Sequence, residues 1–430
     1  MASAYLQKQI TATNTTAITF SAWIKRSKIG YDAAGVFQTE NNSSDYLSLV
    51  FNASDQIDFQ ITGTQNRRIT NRVFRDTNAW YHLLVAVDSS QGSAGDRIKI
   101  YINGVQETSF ATETNNMAQD SNLSPIDATL NYAVGYYPGQ NTNYFDGQMA
   151  HVHYVVGTAY APSTFGETDT TTGIWKPKVS PSGVNYGSKG FFLKFDNSAS
   201  MGLDSSGLTN NLTVSGTIIQ TKDTPSNVFA TGNPLSSRHP VLTSTNNNIF
   251  FDETGQWRAV YSTLGASSGK YYMEAKVDAV GGEASIGVIP AEIAAQNQDT
   301  GDYLGKETDS IGYLNNGRTF KSNSQLQTGL TSMSSGTIVG VALDLDNNTV
   351  QFYNNNSAVG NAIATTAGTI YLFGFSGYSD TRFYANFGNG YFNTTAVASA
   401  ENPDDGDGIF EYDPPSGFRA LCTKSLNAEE

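Results

Sequence analysis

Apolar and polar residues alternate with a period of two along almost the whole chain, and this pattern constrains the fold most strongly. Residues 18–24 and 80–88 place apolar side chains at every second position, as a strand with one buried face requires. The same alternation returns at 269–277 and 339–345. Helical periodicity is nearly absent, and its best example is one short turn at 290–296. The pattern predicts an all-β protein.

The composition agrees with strands that are joined by tight turns. Charged residues form 15% of the 430 residues, below the usual share of about 25%. The 41 glycines and many asparagines supply turns, whereas the 23 tyrosines and 23 phenylalanines favour strands. The length is sufficient for two or three domains of about 100–200 residues each.

The charge and the cysteine content limit the partners and the compartment. The net charge of −14 repels phosphate backbones, so we expect no nucleic acid partner. Cys422 is the only cysteine, which excludes an intrachain disulfide framework and favours folding in a reducing cytosol. Residues 1–16 lack the apolar core of a signal peptide, and no apolar run reaches the length of a membrane span. We expect no membrane insertion.

Interruptions of the alternation divide the chain into two blocks. The predicted boundaries are a first block at 1–166, a linker at 167–190, a strand–turn–strand segment at 191–220, a second linker at 221–248, a second block at 249–395 and a tail at 396–430. Both blocks contain an apolar-small-apolar-Asp strand followed by an aromatic strand that ends in Asn, at 85–103 and 341–354. This shared unit indicates two related sandwiches.

The first block resembles the laminin-G-like branch of the concanavalin A-like sandwiches. The residues that carry the resemblance are Phe20–Ile24, Trp80–His82, Ile100–Gly104 and Phe145–Gly147. In that family an Asp-Ser-Ser-Gly turn usually comes early, but here it stands after the block, at 204–207. Two interpretations remain open: segment 191–220 returns to complete the first sandwich, or it forms a separate patch.

The second block resembles SPRY domains. The matching segments are Gly269–Glu274, Ser285–Val288, Ser310–Tyr313, Gly340–Asp344, Phe352–Asn354 and Ala385–Gly388. The two resemblances imply two antiparallel concanavalin A-like β-sandwiches in tandem. The tandem, with its ending at Gly417–Thr423, is similar to structural proteins of marine tailed phages. That resemblance implies assembly in the host cytoplasm and exposure on the virion surface.

Residues 136–144 form the most promising candidate binding loop of the first block. Tyr136, Tyr137 and Tyr144 offer aromatic faces for stacking on sugar rings, and Asn141 offers an amide that bonds hydroxyls. The alternative is a loop that packs against a neighbouring subunit or against its own sandwich. The resemblance to SPRY domains adds a second candidate binding loop, with Tyr378, Asp380 and Arg382.

Candidates for a metal site or for catalysis are weaker. The laminin-G-like resemblance implies a rim site for calcium at Asp88, Asp96 and Asp146, which serve equally well as turn residues. Apart from calcium we expect no cofactor. His151 and His153 lie two positions apart on a strand, but no third ligand is near in sequence. An Asn-Pro-Asp-Asp-Gly stretch beginning at Asn402 lacks the flanking helices and closing Glu of an EF-hand, so we predict an acidic turn.

Paired carboxylates for glycoside hydrolysis are poorly placed in this sequence. A retaining glycosidase needs two carboxyl groups about 5 Å apart, and the nearest set is Glu274, Asp278 and Glu283. Asp278 falls near a turn and Glu283 lies beyond two glycines. We therefore expect these side chains to be solvated carboxylates and no catalysis.

The leading hypothesis is a non-catalytic virion component: a fibre, a spike or a head-decorating protein. It would contact other virion proteins, form a homo-oligomer such as a trimer, and adhere to host surface glycans. The alternative is a free carbohydrate-binding lectin, and a polysaccharide-degrading enzyme ranks third.

Overall fold

The computed structural model describes residues 4–11, 15–32, 34–42, 45–62, 65–123, 129–137, 143–235, 242–243, 248–252, 255–296 and 303–429. It divides into two compact units, residues 1–220 and residues 221–430. Both units are built from antiparallel sheets, which confirms the all-β prediction. No helix in the described ranges is long and apolar enough to cross a membrane.

The first unit contains strands β1 to β16. In chain order they are β1 (Tyr5–Thr11), β2 (Ala17–Arg26), β3 (Ala34–Asn42), β4 (Asp45–Phe51), β5 (Gln56–Ile61), β6 (Asn66–Val73), β7 (Tyr81–Asp88), β8 (Ile98–Ile102), β9 (Val105–Gln106), β10 (Phe110–Glu113), β11 (Thr129–Val134), β12 (Gly147–Val156), β13 (Gly166–Thr168), β14 (Trp175–Pro177), β15 (Phe191–Leu193) and β16 (Thr213–Ser215). Short 3₁₀ turns occupy Ala94–Asp96 and Pro162–Thr164.

These strands form a sandwich of two sheets. The larger sheet has the order β10-β6-β5-β4-β3-β11-β1-β16, and the smaller has the order β15-β12-β2-β7-β8-β9. Their inner faces enclose a core that includes Phe20, Phe37, Tyr132, Tyr154 and Phe191, each at most 2% exposed. The alternation seen in the sequence thus places one side of each strand in this core.

The segment at 191–220 adds one strand to each sheet of the first unit. Leu193 pairs with Val152 of β12, and Val214 pairs with Leu6 of β1. The sequence left two interpretations of this segment open. The strand pairing corresponds to the first, in which the segment returns and completes the first sandwich. The physical reason is burial, because Phe191 and Leu193 have no exposed surface.

The predicted linker at 167–190 does not run free between the units. It packs on the outer face of the smaller sheet, where its Tyr186 joins a buried cluster with Leu84, Ala86 and the flanking Phe165 and Phe192. Its Trp175 stacks on His82 of β7. β13 and β14 pair within this cover. Its Thr, Pro, Ser and Gly content is typical of a linker, but its few aromatic residues bury enough apolar surface to hold it against the sheet.

The second unit contains strands β17 to β32 and two short helices. They are β17 (Leu242–Thr243), β18 (Ile249–Asp252), β19 (Arg258–Ala266), β20 (Lys270–Ala279), β21 (Ala284–Pro290), α1 (Ala291–Gln296), β22 (Ile311–Leu314), β23 (Arg318–Lys321), β24 (Ser324–Gln327), β25 (Ile338–Asp344), β26 (Thr349–Asn354), β27 (Ser357–Ala364), β28 (Tyr371–Gly377), β29 (Thr381–Asn386), β30 (Tyr391–Phe392), β31 (Thr395–Ala396), β32 (Arg419–Ala420) and α2 (Thr423–Asn427).

This unit is also a sandwich of two sheets. The larger has the order β17-β18-β29-β20-β25-β26-β27, with β32 alongside β20, and the smaller has the order β19-β28-β21-β22-β23-β24. The C-terminal tail covers the outer face of the larger sheet, where Phe410 and Cys422 pack with Phe229 and Tyr272. The backbones of Phe229 and Cys422 form an isolated antiparallel β-bridge. Part of the predicted linker at 221–248 and the tail therefore form one outer layer.

Candidate functional site

Five tyrosines lie together on the outer face of the larger sheet of the first unit, and we call them the tyrosine cap. The cap consists of Tyr5, Tyr46, Tyr136, Tyr137 and Tyr144. The ring centroids of Tyr5 and Tyr136 are 4.6 Å apart, and those of Tyr136 and Tyr144 are 4.7 Å apart in a stacked arrangement. Tyr137 meets Tyr46 edge to face at 5.9 Å. All five are partly exposed, so their rings remain accessible.

The local sequence explains why the cap forms. Leu6 and Leu47 are buried in the core, and alternation therefore turns Tyr5 and Tyr46 outward. The backbone of Tyr136 lies very close to Gly35. A Cβ atom on residue 35 would lie only 2.5 Å from the carbonyl carbon of Tyr136. Glycine at position 35 thus permits the close approach of the loop.

The ends of the cap loop are held by backbone hydrogen bonds. The N–H of Tyr137 donates to the carbonyl of Asn143 over 3.1 Å, and the N–H of Phe145 donates to the carbonyl of Gly135 over 3.0 Å. The hydroxyl of Tyr31 also donates to the carbonyl of Tyr144 over 2.7 Å. Tyr136 and Tyr144 are therefore fixed against each other in the folded unit.

A row of polar side chains crosses the sheet beneath the cap, and we call it the polar row. It consists of Gln38 on β3, Ser48 on β4 and Gln60 on β5, which are direct cross-strand partners. Gln38 and Ser48 are each 1% exposed, and among the described residues Gln38 Oε1 and Ser48 Oγ have no hydrogen-bond partner. Buried polar atoms are normally satisfied by protein, water or ligand, so the row retains hydrogen-bonding capacity.

The polar row is connected to the cap by side-chain hydrogen bonds. Gln60 Nε2 donates to the Tyr46 hydroxyl over 3.3 Å, and Gln38 Nε2 donates to Glu40 Oε2 over 3.0 Å. Burial raises the pKa of Tyr136 and of Tyr137, and the carboxylate of Glu40 adds to both shifts. The phenols are therefore neutral hydrogen-bonding groups near neutral pH.

The structure brings together part of the predicted binding loop. Tyr136, Tyr137 and Tyr144 all join the cap, whereas Asn141 lies outside the described residues. Sequence reasoning missed Tyr5 and Tyr46. Their only sequence signal is an outward position in an alternating strand, which Tyr5 and Tyr46 share with many other residues.

The second unit contains a smaller aromatic surface around the predicted loop. The ring of Trp257 lies 5.0 Å from that of Tyr303 and 6.2 Å from that of Tyr378. Tyr378 is 38% exposed. Asp380 is exposed in the next turn, and Arg382 forms an ion pair of 3.0 Å with Asp278. The three predicted residues thus have different roles. Tyr378 contacts an aromatic ring, Asp380 is an exposed turn carboxylate, and Arg382 of β29 pairs with Asp278 of β20.

Comparison with known proteins agrees with this division. Residues 2–157 match the model of the concanavalin A-like lectin/glucanases superfamily, and residues 270–389 match the model of the SPRY domain. The chain is a tandem of a concanavalin A-like domain and a SPRY domain. No curated protein sequence matches it. The prediction of a concanavalin A-like domain followed by a SPRY domain is confirmed.

Solved structures with similar folds share little sequence with the chain. The SPRY domain of human HERC1 is 16% identical, with 34% of this chain and 91% of that chain covered and a TM-score of 0.29. A heptameric SAP-like pentraxin from Limulus polyphemus is 13% identical, with coverages of 37% and 72% and a TM-score of 0.28.

The three predicted calcium ligands of the concanavalin A-like domain do not share a site. Asp88 accepts hydrogen bonds from the backbone and hydroxyl of Ser90, at 3.0 and 2.6 Å, as a turn residue does. Asp96 pairs with Lys99 at 3.3 Å. Burial raises the pKa of Asp146 to about 6. Within the described ranges, no group of three or more His, Cys, Asp or Glu side chains could hold a metal ion.

The histidines of this domain pack on the outer face of the smaller sheet. His153 stacks on Phe192 with centroids 4.0 Å apart, and its Nδ1 lies 2.8 Å from the Tyr186 hydroxyl. His151 occupies an irregular point of β12 with φ of +48°. The register of β12 shifts at this bulge, yet both imidazoles stack on Phe192, with the ring of His151 5.9 Å from it.

The carboxylates considered for catalysis belong to the SPRY domain and do not form a pair. Glu274 is completely buried under the tail and accepts hydrogen bonds from the backbone N–H groups of Glu411 and Tyr412, at 2.8 and 2.9 Å. Asp278 is ion-paired, and Glu283 is exposed. The expectation of a solvated carboxylate is therefore wrong for Glu274, which has no exposed surface because the tail covers it and which anchors that tail.

The acidic stretch near the C-terminus is a turn, as predicted. Asp404 Oδ2 accepts hydrogen bonds from the Ser416 hydroxyl and from the N–H of Gly417. Asp407 pairs with Lys424 at 2.8 Å. These carboxylates hold the tail together.

Proposed function

We propose that this protein is a non-catalytic binding protein whose concanavalin A-like domain holds a surface glycan on the tyrosine cap. The observation that carries the proposal is the cap together with the polar row. Partly exposed tyrosine rings stack on the apolar faces of sugar rings. The tyrosine hydroxyls and the amide of Gln60, the partly exposed member of the row, can donate to and accept from sugar hydroxyls.

Binding to a glycan array tests the cap directly. We expect the full-length protein to bind a defined subset of glycans and Tyr136→Ala to reduce that binding at least tenfold, because it removes the central ring of the stack. Tyr378→Ala, which removes an exposed tyrosine of the SPRY domain, is the matched control and should retain full binding. Loss of binding in both variants, or in neither, contradicts a site on the cap.

We further propose that the protein acts as a structural component of a tailed-phage virion, where it is exposed on the surface as a homo-oligomer. The support is the sequence resemblance, together with the lone buried Cys422, which makes folding independent of oxidation. Peptide mass spectrometry of density-purified particles tests this setting. A copy number that matches a capsid or tail multiple supports it, and absence from the particles leaves a free lectin as the working model.

The aromatic surface of the SPRY domain supports a second role, contact with another virion protein. Trp257 and Tyr378 are the kind of aromatic anchors that dominate interface energetics. The Ser379–Asp380 turn, with φ of +52° and +50°, is packed against Gly281, so its shape is preset. Cross-linking of intact particles should place the partner beside this turn, and Trp257→Ala should weaken incorporation without changing glycan binding.

A further inference from the structure

One carboxylate, Glu40, lies beside the rings of the tyrosine cap. Glu40 lies on β3 directly opposite Tyr46, and its Oε2 accepts a hydrogen bond from Gln38 over 3.0 Å. Its charge also acts on Tyr136 and Tyr137. Glu40 therefore faces three of the five rings of the cap.

Asp58, a carboxylate that acts on Tyr137 of the cap, is already neutralised. Asp58 Oδ1 accepts a hydrogen bond from Arg67 Nε over 2.9 Å, within an ion pair. Among the described residues, no Lys or Arg side chain forms an ion pair with Glu40. The surface that a glycan would contact thus carries one uncompensated negative charge, on a protein with a net charge of −14.

We propose that Glu40 makes the tyrosine cap selective for uncharged glycans over anionic ones. The inference rests on the proposed glycan binding and names the ligand class of that site. Sugar hydroxyls donate to a carboxylate, which only accepts when ionised. A uronate, sulfate or phosphate group placed at the same position meets a like charge, and the nearby guanidinium of Arg67 is already engaged by Asp58.

The polar row is compatible with the same ligand class. Gln38 Oε1 and Ser48 Oγ are uncharged atoms without a described partner, and they match hydroxyls rather than charged groups. Neighbouring strands are about 4.8 Å apart, so the three members of the row span about 10 Å. Gln38 and Ser48 are each 1% exposed, so a glycan segment lying across β3, β4 and β5 would meet the partly exposed Gln60 of the row together with Glu40.

The test compares neutral and acidic members of a glycan array with the full-length protein, Glu40→Gln and Glu283→Gln. Glu283 is an exposed carboxylate of the SPRY domain, so its variant changes the net charge equally and serves as the control. We expect wild type and Glu283→Gln to bind neutral glycans and to reject their uronate or sulfate counterparts. Glu40→Gln should gain affinity for those acidic counterparts by about fivefold or more, the effect of one contact charge in a water-like dielectric.

The outcomes separate this inference from the proposed function. Equal gains in Glu40→Gln and Glu283→Gln would show that net charge alone sets the preference. Acidic glycans that bind wild type as tightly as neutral ones, or an unchanged acidic-to-neutral ratio in Glu40→Gln, overturn the role of Glu40 while leaving glycan binding intact. A wild type that binds no glycan overturns the proposed function and the inference with it. The gain should also shrink at high salt, where exposed charges are screened.

Discussion

The indole Nε1 of Trp175 donates a hydrogen bond to Nδ1 of His82 over 3.0 Å, and Nε2 of His82 lies 2.8 Å from the Ser21 hydroxyl. Because an indole N–H only donates, Nδ1 must be the unprotonated nitrogen. Nε2 then carries the proton and donates to Ser21, which is therefore not activated as a nucleophile. Burial lowers the pKa of His82 to about 3, which preserves this neutral form.

Replacing Trp175 with Phe should destabilise the concanavalin A-like domain. The variant leaves Nδ1 of a buried histidine without a donor, and an unsatisfied buried group costs about 1–3 kcal/mol. Urea unfolding measures the loss. Trp257→Phe, in the SPRY domain, is the matched control and should leave the transition of the first domain unchanged. Equal transitions in Trp175→Phe and wild type would contradict the structural role of this hydrogen bond.

The concanavalin A-like domain should lose stability as the pH falls from about 6.5 to 4. Burial lowers the pKa of His82, His151 and His153, to about 3 for His82 and about 4 for His151. In the unfolded state the histidines have a pKa near 6.5 and bind protons over this pH range, whereas in the folded state they stay neutral. Acid therefore favours unfolding. Asp146, with a pKa raised to about 6, opposes this trend over part of the range, and three histidines outweigh it.

Tryptophan fluorescence can follow this domain alone. In Trp257→Phe the remaining tryptophans, Trp23, Trp80 and Trp175, all lie in the first unit. The free energy of unfolding, measured in urea at several pH values, should decrease steadily below pH 6.5. A constant value from pH 7 to pH 4.5 would be inconsistent with the buried neutral histidines.

The SPRY domain should show the opposite dependence around Glu274. Burial raises the pKa of this carboxyl to about 7, so the folded state retains a proton that the unfolded state has released above about pH 4.3. Stability from this group is therefore lost as the pH rises from about 4.5 to 7. Asn386 and Tyr272 also contact the carboxyl group, and both must be kept intact in the test.

Glu274→Gln removes this titration and weakens the tail. A Gln side chain has one acceptor oxygen, so one of the N–H groups of Glu411 and Tyr412 loses its partner. We expect a flatter pH profile and faster amide hydrogen exchange at 410–412, whereas Glu283→Gln should match wild type. Retention of the wild-type profile in Glu274→Gln would assign the dependence to another group.

Asp55→Asn should be among the most destabilising single changes in the first domain. Arg26 is 1% exposed and forms an ion pair of 3.0 Å with Asp55. Removing one partner leaves a buried charge uncompensated, at a cost of about 3–5 kcal/mol. Asn tolerates the φ of +63° at this position, so the backbone is not the cause. Asp96→Asn, which breaks the partly exposed pair with Lys99, should cost less than about 1 kcal/mol.

Local patterns in the sequence were sufficient to predict many of the strands and the two sandwich domains. Alternation at 18–24 and 339–345 corresponds to β2 and β25, because the side chains that a strand sends into the core recur every two residues whatever its partners are. The burial of the second face of β2 was not predictable in this way. The Asn103–Gly104 turn also follows from local chemistry, with φ of +50° and +81°. The loop tyrosines Tyr136 and Tyr144 were identifiable for the same reason, since ring and amide content is a local property.

Only the tertiary structure decided which distant residues meet. Tyr5 joins Tyr136 because β1 and β11 are neighbours in the sheet, and Glu274 is buried because the tail returns to cover it 137 residues later. Sheet order and the docking of covering segments depend on long-range burial and backbone pairing, which a two-residue period does not encode. The sequence therefore determined that this chain is a β-protein of two sandwich domains with a tyrosine-rich loop. The packing of strands far apart in the chain decided that five tyrosines and Glu40, which has no ion-pair partner among the described residues, lie together above a buried polar row.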